Sequence, residues 1–164
     1  LGATMRHQHA GLAIPDFPLA YGQVWPALNV QSIELYNQQR MEVHAAEPIT
    51  AFQVGLQMVH RLMALGILIW VIRGVRLTRR QLGGAHGLSK TALAWLVLVL
   101  IQFTLGAVTI WTNKSADITT LHVAVGAVTL VVGSLGAITA YGKLPASRRS
   151  RYQSTEPLPT AAPA

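Results

Sequence analysis

Two histidines stand inside stretches of membrane-grade apolar sequence. His60 lies in "LQMVHRLMALGILIW", from Leu56 to Trp70, with Gln57 three residues before it and Arg61 directly after; His122 lies in "TTLHVAVGAV", which begins at Thr119. An ionisable side chain within a bilayer is costly unless it faces a partner, a cavity or a cofactor. Neutral imidazole is a common metal ligand, and a low-spin b-type heme takes two of them from facing helices. The competing reading of either residue alone is a buried histidine bonded to a carbonyl or to Gln57. Two histidines at similar depth, with almost no other ionisable group near them, favour His60 and His122 as ligands of one heme b (iron protoporphyrin IX).

The neighbours suit that chemistry. Gly126 lies one helical turn beyond His122 on the same face and leaves room for a porphyrin edge, while Met63, Ala64 and Ile67 continue the His60 face as an apolar wall. Gln57, one turn before His60, is within reach of a heme edge. Arg61 either pairs with heme propionates or snorkels to lipid headgroups. Other chemistry is weakly signalled: His7 and His9 lack a third ligand at short spacing, and Met5, Met41, Met58 and Met63 form no copper-type cluster. No Ser-His-Asp set, HExxH or carboxylate pair occurs, so no catalytic residue is assigned.

The elements that must position these side chains follow from composition. Of 164 residues, 51% are hydrophobic and only 12% charged, with a mean hydropathy of +0.38; this is too apolar for an ordinary soluble domain of the size. Three segments reach spanning length, about 20 residues for a hydrocarbon core of roughly 30 Å: 49–72, 91–112 and 118–141. The expected fold is an all-α membrane protein, three transmembrane helices of a four-helix bundle, with a long extracytoplasmic N-terminal loop over 1–48. Pro48 suits the first turn of the first span, and Ser115 or Asp117 can cap the third. In the third span Gly133 with Ala137, and Gly136 with Ala140, recur at four-residue spacing, which allows close helix approach.

The net charge of +7 does not point to nucleic acid, because the basic residues flank apolar runs rather than forming one soluble face. Arg73, Arg76, Arg79, Arg80 and Lys90 separate the first two spans, and Lys143, Arg148, Arg149 and Arg151 follow the third. By the positive-inside rule both groups face the cytoplasm, so spans one and three run parallel, with His60 and His122 in their outer halves. The tail 143–164 is basic, then rich in Pro, Ala and Thr, and reads as disordered. With no cysteine, disulfides, zinc-thiolate sites and covalent c-type heme attachment are excluded. The abrupt opening "LGATMRH", already on the outer side, implies a preceding helix and a chain that is a piece of a longer protein.

Four blocks in order, "GATMRHQHAGLAIPDFPLAYGQVWP" from Gly2, "QMVHR" from Gln57, "IQFTLGAVTIWT" from Ile101 and "TTLHVAVGAV" from Thr119, resemble the heme A synthase family of cytochrome oxidase assembly proteins. The resemblance implies two fused four-helix halves, each with a histidine pair, that oxidise the C8 methyl of heme O to make heme A. It carries His60 and His122 over as the iron ligands of one half. In the half that performs the chemistry a glutamate stands three residues before the first histidine, where this chain has Gln57. Many members place two cysteines in the outer loop, where Ile14 and Ala20 stand here. Both departures imply the C-terminal half, which holds heme b, with the loop "AGLAIPDFPLAYG" over the outer mouth of the pocket, stiffened by Pro15 and Pro18.

The partners so implied are membrane lipid, the N-terminal half of the same enzyme, heme O synthase, cytochrome oxidase assembly factors and a second copy of the chain; the location is a bacterial plasma membrane, crossed several times. A stand-alone cytochrome b-like electron-transfer module and a heme-free membrane scaffold are the competing functions. An upstream Glu-x-x-His-Arg block separates the first from the synthase, and an absorption spectrum separates both from the scaffold.

Overall fold

Three long helices dominate the computed structural model, which describes residues 1–44 and 48–142, with only the backbone for 40–44. They are α3 (Ala51–Leu82), α4 (Gly87–Trp111) and α5 (Ala116–Gly142), preceded by a short α1 (Gly2–His7), a 3-10 turn (Ala10–Leu12) and α2 (Val30–His44). The described residues contain no β-strand, and α3, α4 and α5 are each long and apolar enough to cross a membrane. The expected disorder of the tail 143–164 lies outside the described residues.

Local sequence explains the ends. Thr50 caps α3, accepting a bond from the Gln53 N–H while the Gln53 side chain accepts from the Thr50 N–H, a reciprocal capping box. Pro48 therefore stands ahead of the cap rather than in the first turn. The helix does not stop where its apolar run does: it continues through Arg73, Arg76, Arg79 and Arg80 and ends at Gly83, whose φ of 79° suits glycine. Its 32 residues make a rod longer than the bilayer core, at about 1.5 Å per residue. Between α4 and α5 the chain reverses through Asn113 and Lys114, both in the left-handed region at φ 51° and 61°.

Residues 1–44 are more ordered than a loop. α2 takes up much of the segment, and its start is fixed by the Asn29 side chain, whose Oδ1 accepts from the Ser32 N–H at 2.7 Å. The rest folds back over the start of α3, where Ala13, Ile14, Ala20, Tyr36, Ile49, Val54 and Met58 form a buried cluster. Tyr21 stacks on Tyr36 with ring centroids 3.6 Å apart.

α4 packs against both α3 and α5, whereas α3 and α5 make little direct contact. At the Arg-rich end Val71 and Val75 of α3 meet Val99 of α4. The α4–α5 seam is built on glycines: the Trp95 ring lies so near Gly133 that a Cβ there would come within 2.7 Å of it, and Thr91 lies against Gly136. The indole N–H of Trp95 donates to the Thr129 carbonyl at 3.0 Å. Ala137 and Ala140, paired with those glycines by spacing, are exposed instead. The outward faces carry exposed Trp70, Leu130 and Ile138, the dress of helices that meet lipid.

Candidate functional site

Three consecutive polar positions of α3 divide their work. The Gln57 side chain, 2% exposed, is spent on the loop above it: its Oε1 accepts from the Ile14 N–H at 2.6 Å, and its Nε2 donates to the carbonyls of Ile14 at 3.3 Å and Gly11 at 3.4 Å. Arg61 does likewise, donating to the Asp16 carbonyl at 2.6 Å and the Leu19 carbonyl at 2.8 Å. Its guanidinium also lies 5.5 Å from the centre of the Phe17 ring, within cation–π range. One Arg61 donor, Nε, is buried without a partner. The residues expected at a heme edge and at the propionates thus serve first as clasps for a cap.

The cap is the segment 11–22. Asp16 closes it from within, accepting from the N–H groups of Tyr21 and Gly22, and the Tyr21 hydroxyl donates to the Ala13 carbonyl at 2.6 Å. Phe17 makes edge contacts with Phe103 and Trp111 of α4, and the Trp111 indole donates to the Phe17 carbonyl at 3.2 Å. The cap therefore spans the adjoining ends of α3 and α4. Ile14 and Ala20 are fully buried in the cluster beneath it.

His60 is half-buried and has no hydrogen-bond partner among the described residues. Met63 and Ile67, which continue its face, are exposed, so α4 does not cover that side of α3. His122 sits on the α4-facing side of α5, against Gly106 and Gln102: a Cβ on Gly106 would lie 3.4 Å from the imidazole Cε1. The ring Nε2 is 3.3 Å from the Gln102 amide nitrogen, and Nδ1 is buried without a partner. His60 is nine residues into α3 and His122 six into α5, about 14 and 9 Å from the starts of their own helices.

Gly126 is also on this seam, and the space beside it holds Gln102: a Cβ there would meet the amide nitrogen at 3.0 Å. Gln102 is the residue that a search for ionisable groups passes over. It is the lone side-chain amide of α4, and Thr104 and Thr109, by contrast, close their hydroxyls on carbonyls of their own helix. A lone amide in an otherwise apolar span was the available signal.

Among the described residues no three His, Cys, Asp or Glu side chains converge on a metal-sized site, and His7 and His9 are exposed. A bare ion thus finds no cage of such ligands. A heme makes a different demand, because the macrocycle supplies four donors and only two are asked of the protein. His60 and His122, on helices that both pack on α4 and make little contact with each other, are the two imidazoles that the spans offer for such a demand.

Fold and site together define a helical membrane protein with a histidine inside each of two spans and a polar-clasped cap. A family model described as cytochrome oxidase assembly protein matches residues 1–133, and the chain belongs to that family, the heme A synthases. It is 27% identical over 145 residues to the heme A synthases of Bacillus cereus (strain 03BB102), Bacillus anthracis (strain A0248) and Bacillus thuringiensis subsp. konkukian (strain 97-27), an overlap covering 85% of this chain and 36% of theirs. The chain thus spans about a third of the length of these relatives. No solved structure matches it. The chain is an integral, multi-pass membrane protein of an oxidoreductase family.

Proposed function

We propose that this chain is the heme b-binding half of a heme A synthase, with His60 and His122 as the axial ligands and the catalytic half elsewhere in the same enzyme. The observation that supports it is the presence of His60, unbonded, and His122, set against Gln102, on two spans that both pack on α4. When bound, heme b supplies one-electron transfer between the catalytic half and an electron donor or acceptor. This chain's own residues hold and shield it. The cap, clasped by Gln57 and Arg61, keeps water from the ends of the spans, and the free Nε of Arg61 is a donor for a propionate.

Gln57 is neutral at every physiological pH, and its hydrogen bonds go to the cap, so it cannot move protons for a methyl oxidation. That absence is the reason for placing the heme O to heme A step in the other half. The positive-inside rule puts the cap outside a bacterial plasma membrane and the Arg73 to Arg80 end in the cytoplasm.

The test is the absorption spectrum of the full-length enzyme. The site in this half should hold one protoheme, six-coordinate and low-spin, and His60→Ala or His122→Ala should each abolish that species or convert it to high-spin. Wild-type spectra from both variants would remove the ligand assignment.

A further inference from the structure

Gln102 is bonded to the very nitrogen that His122 would offer to iron. Three facts meet there: the amide Nε2 lies 3.3 Å from the imidazole Nε2; the same amide is wedged against Gly126, where a Cβ would stand 3.0 Å away; and Gln102 Oε1 and His122 Nδ1 are both buried without partners. With the amide nitrogen turned toward the ring, its N–H donates, the imidazole Nε2 accepts, and a neutral His122 carries its proton on Nδ1. This is the tautomer whose Nε2 lone pair is available to a metal. A nitrogen with one lone pair cannot hold both a hydrogen bond and iron.

We infer that Gln102 is an internal stand-in for the heme iron, a positioning residue that keeps the Nε2 lone pair of His122 exposed and occupied in the heme-free chain and is displaced when heme enters. The idea rests on reading His122 as a ligand. It assigns two jobs to one amide. By donating, it keeps the proton off the ligating nitrogen within an apolar span. By competing, it lowers heme affinity by the worth of the bond that must break, so heme held by this half remains exchangeable. The glycines are part of the device: Gly106 and Gly126 let α4 and α5 approach closely enough for amide and imidazole to meet.

The test uses the full-length enzyme in lipid nanodiscs, stripped of heme and labelled with 15N-histidine, the His122 signals being assigned by difference from His122→Ala. His122 should show a protonated Nδ1 and an unprotonated Nε2. Gln102→Met keeps length and apolar volume but removes the donor, and it should lose that tautomer preference. Titrated with protoheme, it should bind about twofold to tenfold more tightly than wild type, the range given by one net hydrogen bond. A protonated Nε2 in the wild type would overturn the inference even if the variant failed to fold. Unchanged affinity in Gln102→Met would mean that the amide only fills space, and weaker binding that it supports the bound heme; either result overturns the stand-in. Low-spin heme surviving in His122→Ala would overturn the ligand reading and this inference together, whereas its loss alongside a protonated Nε2 would overturn this inference alone.

Discussion

The surroundings of the two histidines are built on opposite plans. Around His60 the polar neighbours are mostly spent: Gln57 and Arg61 hold the cap by five bonds to its backbone, with Arg61 Nε left over, and Val54 and Met58 are buried beneath it. Around His122 they are open: two polar atoms have no partner, and α5 buries none of its residues fully. One neighbourhood is stabilised by satisfied hydrogen bonds in a small core, the other by shape, with aromatic and amide side chains seated on glycines. A buried donor or acceptor left without a partner is costly, and each neighbourhood keeps at least one.

That contrast can be broken from either side. The largest effect should come from the glycine seam. Gly133→Val puts a branched side chain where even a Cβ would stand 2.7 Å from the Trp95 ring, and the indole cannot retreat without giving up the Thr129 carbonyl. We expect a loss of about 3 kcal/mol, the upper part of the usual overpacking range, read as a lower thermal midpoint for helix loss in detergent. An unchanged midpoint would mean that shape does not hold α5.

A smaller and more local effect should follow Gln57→Leu, which leaves the buried Ile14 N–H without its acceptor at a cost of about 1–3 kcal/mol. The expected outcome is faster proteolysis within 11–22, with the midpoint of the spans nearly unchanged. In the full-length enzyme heme retention should fall modestly, and heme A formed per bound heme b, measured by chromatography of extracted hemes, should hold. Heme A lost while heme b is fully retained would place the chemistry in this half.

The spans were legible in the sequence because length and apolarity decide membrane insertion almost by themselves. Their ends were less so. The charges of Arg73 to Arg80 mark where hydrocarbon stops, but arginine is a good helix former, so α3 continues until Gly83 ends it. α2 was missed because "VQSIELYNQQRMEVH" carries no clear apolar stripe; the Asn29 cap was its one sign. The site shows the same division. His60 and His122 could be singled out because an ionisable group in a bilayer needs a reason. The cap bonds of Gln57 and Arg61 depend on chain closure over more than forty residues of sequence, which no local pattern encodes. Gly126 was read as room for a porphyrin edge, whereas Gln102, a neutral amide on a different helix, stands beside it.

The central claim, that His60 and His122 are the two axial ligands of one heme, is tested most directly by exchanging a ligand rather than deleting it. In the full-length enzyme His60→Met and His122→Met should each give a low-spin heme with one thioether ligand and a reduction potential above that of the wild type, since Met/His ligation raises the potential. Potentiometric titration of the heme of this half, followed by absorption, reads the outcome. A raised potential in both variants is the predicted result, and a wild-type potential and spectrum in either would contradict the pairing.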